Sequence, residues 1–131
     1  MRRLITQSVI LPAPVDELYA TYLDPVRHAA VTGAPVTVGK ESGSMFSAFG
    51  GQITGTTLWV IEPRLIVQSW RSTNFLESDP DSTLILSFVP QGKDGRIELI
   101  HIDVSETDYE GVKGGWEKYY WEPWRRYLAQ E

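Results

Sequence analysis

The chain has 131 residues, 42% apolar and 22% charged, which is ordinary globular composition at a size that forms one core without staples. Its 12 basic and 17 acidic residues give a net charge of −5, against the basic face of a nucleic-acid binder and against attraction to an anionic membrane surface. Cysteine is absent, which excludes disulfides, cysteine-zinc sites, iron–sulfur clusters and thiol nucleophiles.

The start, Met1-Arg2-Arg3-Leu4, carries two positive charges but lacks the continuous apolar centre and small-residue cleavage site of a signal peptide. No apolar run approaches the ~20 residues of a membrane span. Leu4 to Leu11 mixes β-branched residues with Thr6, Gln7 and Ser8 and reads as a first strand, stopped by Pro12 and Pro14. Pro14 suits the first turn of a helix. Asp16 and Glu17 sit near its positive end, and Val15, Leu18, Tyr19 and Tyr22 recur at helical spacing up to about Leu23. Asp24 is a natural cap for a second short helix, Val26 to Thr32, which Gly33 ends.

From Pro35 to Val104 the pattern is β throughout. Strands are predicted over Pro35–Gly39, Met45–Phe49, Thr54–Ile61, Leu65–Arg71, Thr83–Val89 and Arg96–Val104. Gly50-Gly51 and Glu62-Pro63-Arg64 are turns, Ser72–Asp81 is a polar loop, and Asp94-Gly95 is a hairpin signal. Without intervening helices the sheet is antiparallel. Tyr109 to Gln130 reads as one long amphipathic helix. Its apolar arc holds Val112, Trp116, Tyr119, Tyr120, Pro123, Trp124, Tyr127 and Leu128; Lys118, Glu122, Arg125 and Arg126 face away. Pro123 removes one backbone bond and bends the rod. The fold class is therefore α+β: a curved antiparallel sheet of six to seven strands closed by a long C-terminal helix, with two short helices after the first strand. One domain is expected over residues 1–131. A cavity forms wherever side chains fail to fill the space between helix and sheet.

The chain has two histidines. His101 is in phase with Ile97 and Leu99, so it enters a cavity if that face is concave. It is then either an acid/base group or a structural histidine satisfied by a neighbour. His28, in the second short helix, is expected to be exposed. The two lie too far apart for a recognised metal motif, and no cofactor fingerprint, P-loop or nucleophile elbow occurs. Gly111, Gly114 and Gly115 read as a loose helix entry packed close to the sheet. Trp121, at the edge of the arc, covers a rim or marks a dimer contact. Glu117 falls on the apolar flank, with Arg71 or water as its partner.

Three stretches resemble one family in its order: Thr21-Tyr22-Leu23-Asp24-Pro25 through Thr32-Gly33-Ala34-Pro35; Gly50-Gly51-Gln52-Ile53-Thr54-Gly55 followed by Glu62-Pro63-Arg64-Leu65-Ile66-Val67-Gln68-Ser69-Trp70-Arg71; and Gly115-Trp116-Glu117-Lys118-Tyr119-Tyr120-Trp121-Glu122-Pro123-Trp124. Together they are similar to the activator-of-heat-shock-protein-ATPase (AHSA, Aha-like) family of the START/SRPBCC superfamily, which includes birch-pollen allergen and polyketide cyclases. The resemblance implies a helix-grip fold. It also implies three candidate functions: binding of a small apolar or aromatic molecule, a polyketide cyclase-like reaction, or regulation of a chaperone's ATPase. The eukaryotic activators carry a separate N-terminal domain, for which this length leaves no room. The expected ligand-binding residues are Trp70, Gln68, Leu86, Phe88, Leu99, His101, Trp116, Tyr119, Tyr120 and Trp124; a one-residue error in strand phase would reverse the strand members. No metal or other cofactor is implied, and the expected setting is cytoplasmic. A small hydrophobic molecule is the expected partner, with a homodimer and a chaperone as further candidates.

Overall fold

β1 (Arg2–Leu11) buries Ile5, Val9 and Leu11 on the face that Gln7 shares and turns Leu4, Thr6, Ser8 and Ile10 outward, the period-two pattern of a strand with one wet face. The computed structural model describes residues 2–130; Met1 and Glu131, at the ends of the expected domain, lie outside them. After β1 come two short helices, α1 (Val15–Leu23) and α2 (Pro25–Thr32). Pro14 is the N-cap of α1 rather than part of its first turn. Asp24 caps α2 as its sequence suggests: its carboxylate accepts from the backbone N–H groups of Val26 and Arg27 at 2.9 and 3.1 Å. Gly33 closes α2 at φ 77°, a left-handed conformation that glycine adopts without steric cost.

Six further strands follow: β2 (Val36–Thr37), β3 (Met45–Ala48), β4 (Ile53–Ile61), β5 (Leu65–Ser72), β6 (Ser82–Gln91) and β7 (Asp94–Ser105). They join β1 in one seven-stranded antiparallel sheet of order β1-β7-β6-β5-β4-β3-β2. The β6–β7 hairpin turns at Gly92-Lys93, with Gln91 paired to Asp94, and not at Asp94-Gly95. Gly92 supplies the positive φ of 62°. Gly95 serves packing instead: a Cβ there would lie 2.6 Å from the Leu18 side chain of α1. Gly55 is required by a closer approach, since its Cβ would meet the Ser69 carbonyl oxygen across the β4–β5 pair at 1.9 Å.

The concave face carries Ile66, Gln68 and Trp70 of β5, Leu84, Leu86 and Phe88 of β6, and Ile97, Leu99 and His101 of β7, all buried. The register sets them side by side across the strands, Ile66 with Leu86, Gln68 with Leu84, Leu84 with His101, Leu86 with Leu99 and Phe88 with Ile97. Against them lies the C-terminal helical segment, in three parts. α3 (Tyr109–Trp116) and α4 (Glu122–Ala129) are joined by a π-turn over Glu117–Trp121, where the Glu122 N–H donates to the Glu117 carbonyl five residues back. Pro123 follows at once. It has no N–H to give, and its ring would crowd the carbonyl four residues back, so the wider turn relieves the helix where the sequence interrupts it.

The π-turn changes the helix phase. Trp121, expected at a rim or a dimer contact, is 3% exposed, and its indole N–H donates to Gln7 Oε1 of β1 at 2.8 Å. Gln7 returns a bond to the Lys113 carbonyl at 2.9 Å, so one side chain fastens helix to sheet twice. Trp116, Trp121 and Trp124 stack in sequence, with centroids 5.6 and 6.5 Å apart. Glu117 leaves the apolar flank and pairs with Arg125 at 3.0 Å on the surface. Arg71 does not reach it; its guanidinium instead holds the Thr73–Asp81 loop through the Leu76 and Asp79 carbonyls, both at 2.7 Å, and the Asp81 carboxylate.

Candidate functional site

The space between helix and sheet is filled along most of its length and opens at one end. There a cleft of about 330 Å³ lies between the α3 face and the near ends of β4 and β5. Phe49, Gln52, Ile53, Trp70 and Ser72 come from the sheet side, and Thr73 and Asn74 from the loop after β5. Asp108, Gly111, Val112, Gly115, Trp116, Tyr119 and Tyr120 come from the helix side. This is the low end of the ~300–1,000 Å³ range of small-molecule sites.

Each wall has a local cause. Phe49 opens the short 3-10 turn Phe49–Gly51 at φ 54°, a conformation that costs a bulky residue of order 1–3 kcal/mol. Its ring is held edge-on by Tyr119 at 5.7 Å and Tyr120 at 5.8 Å. Gly111 and Gly115 stand one helical turn apart on the cleft side. They make room rather than close contact with the sheet: a Cβ at Gly115 would meet only the Tyr119 ring, at 3.5 Å, and one at Gly114 would meet nothing within 4 Å. A Cβ at Gly111 would lie 2.9 Å from Asp108 Oδ1. The loop side is steadied by Phe75, buried against Trp70 at 6.0 Å between centroids. Asp79 binds the loop to β7 through the Ser105 hydroxyl. That bond and the Leu76 N–H hold its carboxyl below the usual carboxylate range.

Of the ten residues expected to bind ligand, Trp70, Trp116, Tyr119 and Tyr120 line the cleft. Tyr119 stands at its edge, 48% exposed. Gln68, Leu86, Phe88, Leu99, His101 and Trp124 are buried in the packed core outside the lining. His101 stands behind the cleft wall. The Trp116 indole N–H donates to its Nδ1 at 3.3 Å, so its own proton is on Nε2, which faces Ser82 Oγ at 2.8 Å. The Ser82 hydroxyl donates to the Trp70 carbonyl at 2.7 Å. Both cleft tryptophans are thus fixed by one imidazole, whose burial lowers its pKa to about 3.

His28 is not exposed as expected; it is 1% exposed, beneath the helix. Its Nδ1 lies 2.8 Å from the Tyr22 carbonyl, which only accepts, so the proton is on Nδ1. Nε2 then accepts from the Tyr120 hydroxyl at 2.9 Å. The Tyr22 hydroxyl donates to Gln68, whose amide donates to Thr57. Burial lowers His28 to about 4 despite the carbonyl, and raises both phenols above their ordinary value. α2 is short and buries only His28 and Val31, so periodicity alone gives no sign that its one histidine points inward.

The sequence reading also missed Phe49, Gln52, Ile53, Ser72, Thr73, Asn74 and Asp108, all in turns or at element ends. Glycines one helical turn apart at 111 and 115 were the available signal. Among the described residues no group of three or more His, Asp or Glu side chains gathers to hold a metal, and no helix is long and apolar enough to cross a membrane.

Comparison with known proteins addresses the family. The human activator of 90 kDa heat shock protein ATPase homolog 1 is 23% identical over 120 residues, 92% of this chain and 35% of that protein. An uncharacterized protein of Schizosaccharomyces pombe is 31% identical over 119 residues, 91% of this chain and 35% of its own length. The chain spans about a third of the length of these relatives. Among solved structures, an HSP90 activator from Plasmodium falciparum superposes with a TM-score of 0.86 at 21% identity, covering 96% of both chains, a likeness of fold. CalU16 from Micromonospora echinospora superposes at 0.75 with 29% identity, covering 90% of this chain and 71% of that one. The family model described as Activator of Hsp90 ATPase homolog 1-like protein matches residues 12–129, and with the helix-grip architecture in place, the chain belongs to that family.

Proposed function

We propose that this protein binds a small apolar or aromatic molecule in the cleft between α3 and the ends of β4 and β5, with residues 1–131 acting as one unit. The observation that carries this reading is an aromatic-walled space left open beside a core that is elsewhere filled. Phe49, Trp70, Trp116, Tyr119 and Tyr120 offer aromatic surface, and Gln52, Ser72, Thr73 and Asn74 offer neutral polar groups to orient a ligand. Of the residues first expected to bind, Trp70, Trp116, Tyr119 and Tyr120 are the ones we retain. Buried His101 and His28 support walls and do not touch the space, which favours binding over acid/base catalysis of the cyclase type. Native mass spectrometry of freshly purified protein, followed by titration of tryptophan fluorescence with a library of one- and two-ring compounds, tests this. A retained compound, or a saturable fluorescence change lost in Trp116→Ala, is expected; an empty protein that binds no library member overturns it.

A chaperone-directed role is the second reading, in a cytoplasmic setting. Its support is the family itself and the alignment of the human ATPase activator along nearly the whole chain. The measurement is Hsp90 ATPase turnover at saturating protein, where stimulation is expected and an unchanged rate removes the idea. A homodimer belongs to the same set of candidates, since a structural neighbour from Colwellia psychrerythraea is described as a dimer of Aha1.

A further inference from the structure

Charge in the cleft is one-sided. Of the described residues that line it, Asp108 alone is charged. Its carboxylate caps no backbone N–H of α3, although it stands at that helix's N-cap position. It is absent from the ion pairs among the described residues. Gly111, which has no Cβ, leaves room for its Oδ1 beside the first turn of the helix. The simplest structural role for such a residue is to complement the positive end of a helix. A carboxylate in that role accepts the cap bonds, and this one accepts none.

The remaining walls suit the same charge. The faces of aromatic rings carry negative potential, and rings grouped around a carboxylate attract ammonium groups, most strongly where water is excluded. Trp70, Trp116, Tyr119, Tyr120 and Phe49 enclose the space that Asp108 borders. Lys118 is not part of the lining, yet its Nζ already lies 5.2 Å over the Tyr119 ring, so that ring is in use as a cation acceptor. Among the described residues no basic side chain lines the cleft to hold an anion.

We propose that the cleft selects an organic cation, a compact apolar or aromatic body bearing an ammonium group, with the charge set against Asp108 and the body against the tryptophan and tyrosine rings. This rests on the ligand-binding reading above and adds the substrate class. The probes that separate the two are benzyltrimethylammonium and its uncharged carbon isostere, neopentylbenzene, which share shape and differ in charge. Titration by tryptophan fluorescence at low and high salt is expected to give roughly tenfold tighter binding of the cation, an advantage that shrinks with salt because part of it is electrostatic. Asp108→Asn keeps a residue favoured at N-caps, so the fold survives, which circular dichroism checks. In this variant the cation is expected to fall to the affinity of the isostere, with the isostere itself unchanged. Equal binding of the two probes to the native protein overturns cation selection and leaves the cleft reading standing. A cation preference that survives Asp108→Asn overturns the role given to that carboxylate. Binding of neither probe overturns the proposal, and failure of the wider library as well overturns the cleft reading beneath it.

Discussion

At the scale of single residues, the two histidines are supports. Each is neutral, each has both ring nitrogens partnered, and the two hold opposite tautomers. Phase along the strand put His101 on one face with Ile97 and Leu99, because strand periodicity is two, and the structure shows that this face is the concave one. No rule of periodicity tells whether such a residue meets a cavity or a packed partner; here Trp116 and Ser82 take both nitrogens. The buried state has a measurable cost in acid. His28 and His101 hold pKa values of about 4 and about 3 in the fold, against about 6.5 unfolded. Between these values the unfolded chain binds more protons than the folded one, so stability is complete above about pH 6.5 and falls as pH falls through the interval. Two such sites amount to about 4 kcal/mol lost between pH 7.5 and pH 5. Urea unfolding across that range is expected to show this loss, and a flat profile would mean that the imidazoles are not desolvated.

At the scale of elements, the strands and short helices were legible because their signals are local: alternation, a capping aspartate before a proline, a glycine at a helix end. The C-terminal helix was legible as an amphipathic segment and not as a single wheel. A helical wheel assumes one constant turn angle, and the π-turn at Glu117–Trp121 breaks that assumption midway. Trp121 therefore moves inward, and Glu117 settles on the surface beside Arg125. Glycine use within α3 gives a sharp test. Gly114 and Gly115 are both helical, and alanine there removes about 0.5–1 kcal/mol of backbone-entropy penalty. Gly114→Ala meets nothing and is expected to raise the midpoint of thermal unfolding with ligand binding unchanged. Gly115→Ala is expected to raise stability similarly but to weaken binding severalfold, because its methyl enters the cleft beside Tyr119. Thermal melts and fluorescence titration of the pair distinguish room left for a ligand from an incidental weak helix.

At the scale of the whole molecule, architecture was readable because one long amphipathic helix and a run of antiparallel strands leave few ways to bury their apolar faces. The position of the opening was not readable. It depends on how far side chains from three elements reach into shared space, and on a phenylalanine held at positive φ, which no residue preference foretells. The same packing has a consequence for proton traffic. Tyr120, of the cleft wall, donates a hydrogen bond from its hydroxyl to Nε2 of His28, and the Nδ1–H of that ring donates to the Tyr22 carbonyl. The second chain runs from His101 through the Ser82 hydroxyl to the Trp70 carbonyl. A carbonyl accepts a proton's attention but has none to pass on. Both chains end on carbonyls behind the wall, so neither histidine relays a proton into the cleft, and exchange there is left to water, to the ligand and to the side chains that line the space.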